Sequence, residues 1–132
     1  MKNKKATISY KNNLEGITPK MLSGFCVGWS KPLSTEQLYK ILENSYQIVL
    51  ALEYNKVIGF VNAISDKVKF AFIPMLEVLP ECKNNGIGTE LMKRLFEQLE
   101  DIDNIDLICD EELQPYYEKF GMIKYTGMVV RK

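Results

Sequence analysis

The sequence predicts an α+β chain, a mixed α/β layer in which one parallel crossover carries a glycine turn. Three observations predict it. Strand-like runs at Gln47 to Glu53, Val57 to Ser65 and Phe70 to Leu79 follow one another through short polar connections, Tyr54-Asn55-Lys56 and Asp66-Lys67, the pattern of an antiparallel meander. A run from Thr89 to Leu99 carries Leu91, Met92, Leu95, Phe96 and Leu99 at helical spacing. A short apolar run, Ile105 to Cys109, follows that helix and reads as a buried strand reached by the crossover.

The remaining elements follow in order. Thr7-Ile-Ser-Tyr10 reads as a first strand. Ile17 to Trp29 reads as a helix with Thr18 as N-cap and Pro19 at its first position. Lys31-Pro32-Leu33 breaks it, and Ser34-Thr35-Glu-Gln-Leu opens a second helix in capping style that runs to about Asn44. After the meander, the crossover helix and the Ile105 strand, Leu113 to Phe120 reads as a short helix with Pro115 in its first turn and Gly121 at its end. Ile123 to Thr126 and Met128 to Arg131 read as two closing strands joined around Gly127. The predicted order is β, α, α, β, β, β, α, β, α, β, β.

Bulk properties narrow the function. A chain of 132 residues is read as one domain, and a domain of this size buries roughly 65–70% of its unfolded surface. The formal charge is zero, which points to neither a nucleic acid nor an anionic membrane as partner. The basic start, Lys2, Lys4 and Lys5, is followed by no apolar core of a signal peptide and no stretch long enough to span a bilayer, so the expected location is the cytoplasm. Cys26, Cys82 and Cys109 lack CxxC spacing, which favours reduced thiols over a disulfide frame or a zinc site. The chain contains no histidine, which excludes Ser-His-Asp and Cys-His catalysis and histidine-based metal sites; no metal is expected. Proton transfer must use carboxylates, tyrosine, lysine or water.

The chemistry concentrates at Lys83-Asn-Asn-Gly-Ile-Gly88, between the run Ile73-Pro-Met-Leu-Glu-Val-Leu79 and the amphipathic helix. Strand, glycine turn and helix start make a phosphate pocket. The first-turn N–H groups of a helix have no internal partner, and the helix dipole favours negative charge there. Gly86 and Gly88 would allow positive φ and a close approach of pyrophosphate to the backbone. A P-loop is excluded, because the glycines are too close and no lysine follows Gly88. A dinucleotide fingerprint is excluded, because position 91 is leucine and the turn follows a meander instead of opening the chain.

The segment Leu76-Glu-Val-Leu-Pro-Glu-Cys-Lys-Asn-Asn-Gly-Ile-Gly-Thr-Glu-Leu-Met92, followed by Pro115-Tyr-Tyr-Glu-Lys-Phe-Gly-Met122, resembles the GNAT (GCN5-related N-acetyltransferase) family. The family carries Q/R-x-x-G-x-G/A after a V-x-P strand end, and later a motif of the form YExxGF. The resemblance covers residues 46–127 well, and residues 1–45 only through element order. It implies a single domain over 1–132 with the GNAT acyl-CoA N-acyltransferase fold, a central mixed, mostly antiparallel sheet flanked by helices. Residues 46–127 would form the acetyl-CoA core and 1–45 the acceptor side. It further implies an acetyl-CoA-dependent N-acetyltransferase acting on a primary amine of a small molecule or peptide by direct attack. The alternative from another class is a non-catalytic CoA-binding sensor or regulatory module. A homodimer through the last strands is compatible with the fold.

The resemblance also places roles. The Leu76 N–H would hold the thioester carbonyl, Val78 would pair with the pantetheine arm, and the amides of Lys83, Asn84, Asn85, Gly86, Ile87, Gly88 and Thr89 would cradle the pyrophosphate. Tyr117 matches the tyrosine that acts as general acid; a phenol with pKa near ~10 stays protonated at neutral pH and can protonate a leaving thiolate. Glu77 is the first candidate for the base, directly or through water; positions 72 and 74 are Phe and Pro. A relayed base, or an amine that arrives neutral, stays open. Phe25 and Trp29 would face the acceptor. Three positions depart from the family pattern: Lys83 stands for Gln or Arg, Met122 for Phe, and Asp110 for the common Asn.

Overall fold

In the computed structural model, which describes residues 7–132, β1 (Ile8–Lys11), β2 (Gln47–Glu53), β3 (Lys56–Ser65) and β4 (Phe70–Val78) form an antiparallel meander. A fifth strand, β5 (Asn104–Asp106), joins β4 in parallel and completes a mixed sheet in the order β1-β2-β3-β4-β5. The connection from β4 to β5 runs through α2 (Ile87–Gln98), the expected parallel crossover. Alternation along β2 and β3 sends one set of side chains to each face of the sheet, and both faces are covered. Val49, Ala51, Ile58 and Val61 pack with Leu91, Met92 and Leu95 of α2. Ile48, Leu50, Val57 and Phe60 pack on the other face with Leu22 and with Leu38 and Leu42 of α1 (Thr35–Glu43).

The α1 start behaves as its sequence requires. The Ser34 hydroxyl accepts from the Gln37 amide at 3.1 Å, and the Gln37 side chain accepts from the Ser34 amide at 2.9 Å. Such a reciprocal cap stabilises a helix by about 1 kcal/mol.

Gly59 fixes how closely α2 lies on β3. A Cβ there would sit 3.2 Å from both Ile87 Cγ2 and Leu91 Cδ1. The missing side chain lets the first turn of α2 rest on the sheet beside β4.

Two expectations are corrected. The helix predicted over Ile17 to Trp29 is a single 3₁₀ turn, Pro19–Leu22, followed by an irregular loop. Gly24, Cys26 and Gly28 all take positive φ, 92°, 65° and 82°, which no α-helix accommodates. The loop instead folds back so that the Cys26 amide reaches Glu77, 51 residues away. The two predicted closing strands are absent as well. Gly121, at φ 87°, ends α3 (Gln114–Glu118) and its last turn, and residues 122–132 run on without regular structure. Their strand propensity is real, but a strand needs a partner, and no other described strand pairs with them. Smaller shifts occur at β1, which starts one residue later than expected, and at β5, which ends at Asp106 with Leu107 to Cys109 unpaired.

Candidate active site

The sheet opens where the chemistry is expected. Parallel pairing between β4 and β5 runs Phe70↔Asn104, Ala71↔Ile105, Phe72↔Asp106 and then stops. Beyond that point a bulge leaves Ile73 and Pro74 out of register, Met75–Val78 pairs with β3 alone, and residues 107–110 form no ladder with β4. The result is a break in the strand pairing, a cleft in the sheet whose wall is the β4 edge.

Register shows which backbone groups line that wall. Leu79 donates its amide to Ile58 at 2.8 Å, in the same register as Glu77↔Phe60. In an antiparallel ladder alternate residues turn their N–H and C=O toward and away from the partner. Leu76 and Val78, paired opposite Val61 and Gly59, therefore turn theirs away from β3 and into the cleft. Their side chains pack toward α2, while Glu77 points to the opposite face. Apolar residues at 76 and 78 leave the cleft edge purely backbone.

The glycine turn closes one end of the cleft. A 3₁₀ turn, Pro80–Cys82, leads to Lys83 in extended backbone, Asn84 at φ 67° and Gly86 at φ 76°, and α2 begins at Ile87. The Asn85 side chain donates to the Cys82 carbonyl at 3.2 Å and braces the turn. Among the described residues, no group accepts a hydrogen bond from the amides of Asn84 to Thr89; the first bonded amide of the helix is that of Glu90, to the Gly86 carbonyl. Six consecutive N–H groups at a helix N-terminus form a ready anion cradle, with the exposed Lys83 beside it. Of the two glycines, only Gly86 uses positive φ. Gly88 serves through its size: a Cβ there would lie 3.2 Å from the Tyr116 hydroxyl and 3.8 Å from Val78 Cγ2.

Two tyrosines of α3 reach this region. Tyr116 is the one on the turn; its hydroxyl lies 3.2 Å from Thr89 Oγ1, and Lys119 Nζ stands 4.8 Å from its ring. Sequence reasoning passed over Tyr116, and the doublet Tyr116-Tyr117 was its only signal. Tyr117 stacks edge-on against Tyr116 at 5.1 Å and packs its ring on the α2-side core. Burial, with Tyr116 and Cys109 adding to it, pushes the Tyr117 phenol up to about 12. It therefore holds its proton throughout the physiological range.

On the opposite face, Glu77 is tied to the loop. Its Oε1 accepts from the Cys26 amide at 3.0 Å and its Oε2 from the Cys26 thiol at 3.6 Å. Phe25 packs edge-on against Phe60 at 4.9 Å and beneath Lys56, whose ammonium is bound by the Met21 and Ser23 carbonyls. Phe25 thus lies beside the Glu77 tether, whereas Trp29 is 45% exposed at the far end of the loop. Burial raises the pKa of all three cysteine thiols, so none is poised as a nucleophile. Asp110 is exposed beyond the cleft, its carbonyl accepting from the Leu113 amide. Among the described residues no cluster suited to hold a metal ion is present, and no helix is long and apolar enough to cross a membrane. A separate concavity of about 510 Å³, between β1 and α2 near Tyr10 and Arg94, shares none of the cleft's features.

The sequence profile of the Acetyltransferase (GNAT) family matches residues 15–122. The chain belongs to the GNAT acetyltransferase family. A GNAT chain of this kind has relatives in several lineages. It is 30% identical to an uncharacterised N-acetyltransferase, ycf52, of Porphyra purpurea, over 87% of this chain and 70% of that protein. It is 34% identical to a histone acetyltransferase of Glycine max, over 72% of this chain but only 46% of the soybean protein. Among solved structures, a Deinococcus radiodurans R1 protein proposed to be an acetyltransferase superposes with a TM-score of 0.94 at 40% identity, covering 100% of this chain and 94% of that one. A GNAT protein of Streptococcus pneumoniae TIGR4 superposes at 0.75 with 27% identity, over 96% and 98% of the two chains. The mixed sheet flanked by helices is the GNAT fold.

Proposed function

We propose that this GNAT chain transfers acetyl from acetyl-CoA to a primary amine of a small molecule or peptide, by direct attack and without an acyl-enzyme. The observation that carries the reading is the continuity of one cleft. It runs from six unpaired amides at the α2 start, past Gly88 beside Val78, to the outward backbone of Val78 and Leu76, with Tyr116 on the turn and Tyr117 stacked against Tyr116. The residues fit the cofactor's chemistry: a pyrophosphate needs converging N–H donors and room to approach, and an extended amide-bearing arm needs a free strand edge.

The roles follow from chemistry. The Leu76 N–H stabilises negative charge developing on the thioester oxygen, which preorganised donors do well. The amine nitrogen forms a bond to the carbonyl carbon, the C–S bond breaks, and the departing sulfur takes a proton from Tyr117. The proton lost by the attacking nitrogen goes to Glu77 through water, and Phe25 and Trp29 belong to the acceptor side. Glu77 also tethers the loop that would contact the acceptor. The name of the Glycine max relative supports a peptide amine as one candidate acceptor class. No residue of the cleft calls for a metal, and the cytoplasm is the proposed location.

A second reading, a CoA-binding module without turnover, rests on one observation. Both Glu77 oxygens already receive donors from Cys26, so the proposed base has a structural task. Thiol release from acetyl-CoA across a panel of amines separates the two readings, with Glu77→Gln and Glu77→Ala measured beside the wild type. Glutamine keeps an acceptor for the Cys26 amide. Glu77→Gln is therefore expected to hold its thermal midpoint while kcat falls about 100-fold, the usual scale for a lost general base. Glu77→Ala is expected to lose both. Thermal stabilisation by CoA with no turnover on any amine establishes the binding module and removes the enzyme.

A further inference from the structure

The loop that follows the Pro19–Leu22 turn is held by two side chains of opposite charge. Glu77 of β4 accepts from the Cys26 amide at 3.0 Å. Lys56, the first residue of β3, supplies the other polarity: its ammonium donates to the Met21 carbonyl at 3.2 Å and to the Ser23 carbonyl. Between Ser23 and Cys26 the loop carries Gly24, at φ 92°, and Phe25. A Cβ on Gly24 would lie 3.2 Å from Leu79 Cδ2, so the loop rests on the residue that leads into the Pro80–Cys82 turn. Phe25 meets Phe60 edge-on at 4.9 Å and has the Lys56 ammonium 5.4 Å from its ring centre.

An ammonium partly removed from water normally pairs with a carboxylate. Among the described residues Lys56 forms no ion pair. Burial lowers its pKa, while Glu81 and Cys82, on the turn before the amide cradle, favour its charged form. Its hydrogen bonds go to carbonyls at the end of a 3₁₀ turn, where no helix continues to satisfy them. Positive φ at Gly24, Cys26 and Gly28 denies the loop a regular ladder of its own. Among the described residues, positions 23–29 share one backbone-to-backbone hydrogen bond, from the Trp29 amide to the Cys26 carbonyl at 3.2 Å. The path of the loop therefore depends on Lys56 and Glu77.

We propose that Lys56 is a positioning residue for the acceptor: it clamps residues 21–25 against the start of the cofactor turn and so fixes where Phe25 stands beside Glu77. The acceptor half of this claim rests on the acetyl-transfer reading; the clamp itself does not. A fixed loop presents a preformed wall to the incoming amine. A released loop must be ordered at each binding event, which weakens acceptor binding and leaves the bond-making step alone. Trp29 reports on the clamp directly, because it is the one tryptophan of the chain and lies on this loop, 45% exposed.

Lys56→Met and Lys56→Arg test the proposal on the whole chain, with Lys56→Gln as a second release variant and thermal midpoints to show that each folds. Methionine keeps an apolar stem over Phe25 and removes the donors, whereas arginine keeps charge and donors. In Lys56→Met, acrylamide quenching of Trp29 fluorescence is expected to rise. The KM for the amine is expected to rise about tenfold, the scale of a lost hydrogen bond to a charged group, with kcat and the KM for acetyl-CoA within about twofold of wild type. Lys56→Arg is expected to restore both readings. Quenching equal to wild type in Lys56→Met and Lys56→Gln overturns the clamp. Increased quenching with an unchanged amine KM overturns the acceptor role, as does a fall in kcat at constant KM. If no amine turns over even with the wild type, the acetyl-transfer reading fails and the acceptor role with it, while quenching still decides the clamp.

Discussion

Tyr117→Phe is expected to lower kcat by about 100- to 1,000-fold while changing KM little, the scale of a lost general acid. The substitution removes one oxygen and keeps the ring. That ring packs on the α2-side core and against Tyr116 at 5.1 Å, so the fold should tolerate the change. The pH dependence sharpens the expectation. Burial raises the phenol from 10.0 to about 12, so Tyr117 contributes no alkaline fall in rate below pH 10. The same shift bears on stability. A pKa raised on folding means that the native state holds the proton more tightly. The stabilisation is fully present below 10.0 and is lost as pH rises through about 12. Tyr117→Phe should therefore flatten the wild type's stability loss in that window, as urea midpoints at increasing pH would reveal. A rate unaffected by the substitution would remove Tyr117 from the chemistry.

Gly88→Val is expected to weaken CoA binding by about 100-fold, which corresponds to ~2.7 kcal/mol, measured by calorimetry. The position sits in the first turn of α2, where a Cβ would already crowd the Tyr116 hydroxyl at 3.2 Å. A branched side chain pushes that ring away from Thr89 and covers the free amides behind it. Gly16→Ala provides the comparison. Gly16 has φ 75° and open space around it, so alanine there brings backbone strain without touching the cleft. Gly16→Ala should lower the thermal midpoint and leave CoA affinity unchanged. Equal CoA affinity in the Gly88 variant and the wild type would mean that the cradle lies elsewhere.

The legible parts of the fold were those governed by local pattern. The meander, the α1 cap and the amphipathic α2 each carry their own signal: apolar runs joined by short polar turns, Ser34 with Gln37, and leucines at helical spacing. The glycine turn was legible for the same reason, since strand, turn and helix start are contiguous. What escaped depends on contacts distant in sequence. The stretch Ile17 to Trp29 carries the helix-start signals Thr18 and Pro19, yet Glu77 takes the Cys26 amide and the positive-φ positions at 24, 26 and 28 end any helix after one turn. Gly59 looks like any strand glycine until α2 is laid on it. Tyr116 and Tyr117 are neighbours with different tasks, and only the placement of α3 shows which hydroxyl meets Thr89. At the tail, the two closing strands expected at Ile123 to Thr126 and Met128 to Arg131 do not form: the residues have strand propensity, but no other described strand pairs with them.

The central claim is that the unpaired amides of the α2 start and the free edge of β4 form one cofactor-binding surface. Amide hydrogen exchange with and without CoA tests it most directly. The prediction is slower exchange at Asn84 to Thr89 and at Leu76 and Val78, with Glu77, whose amide direction is toward β3, unchanged. Protection confined to another part of the chain, or none at saturating CoA, would contradict the account.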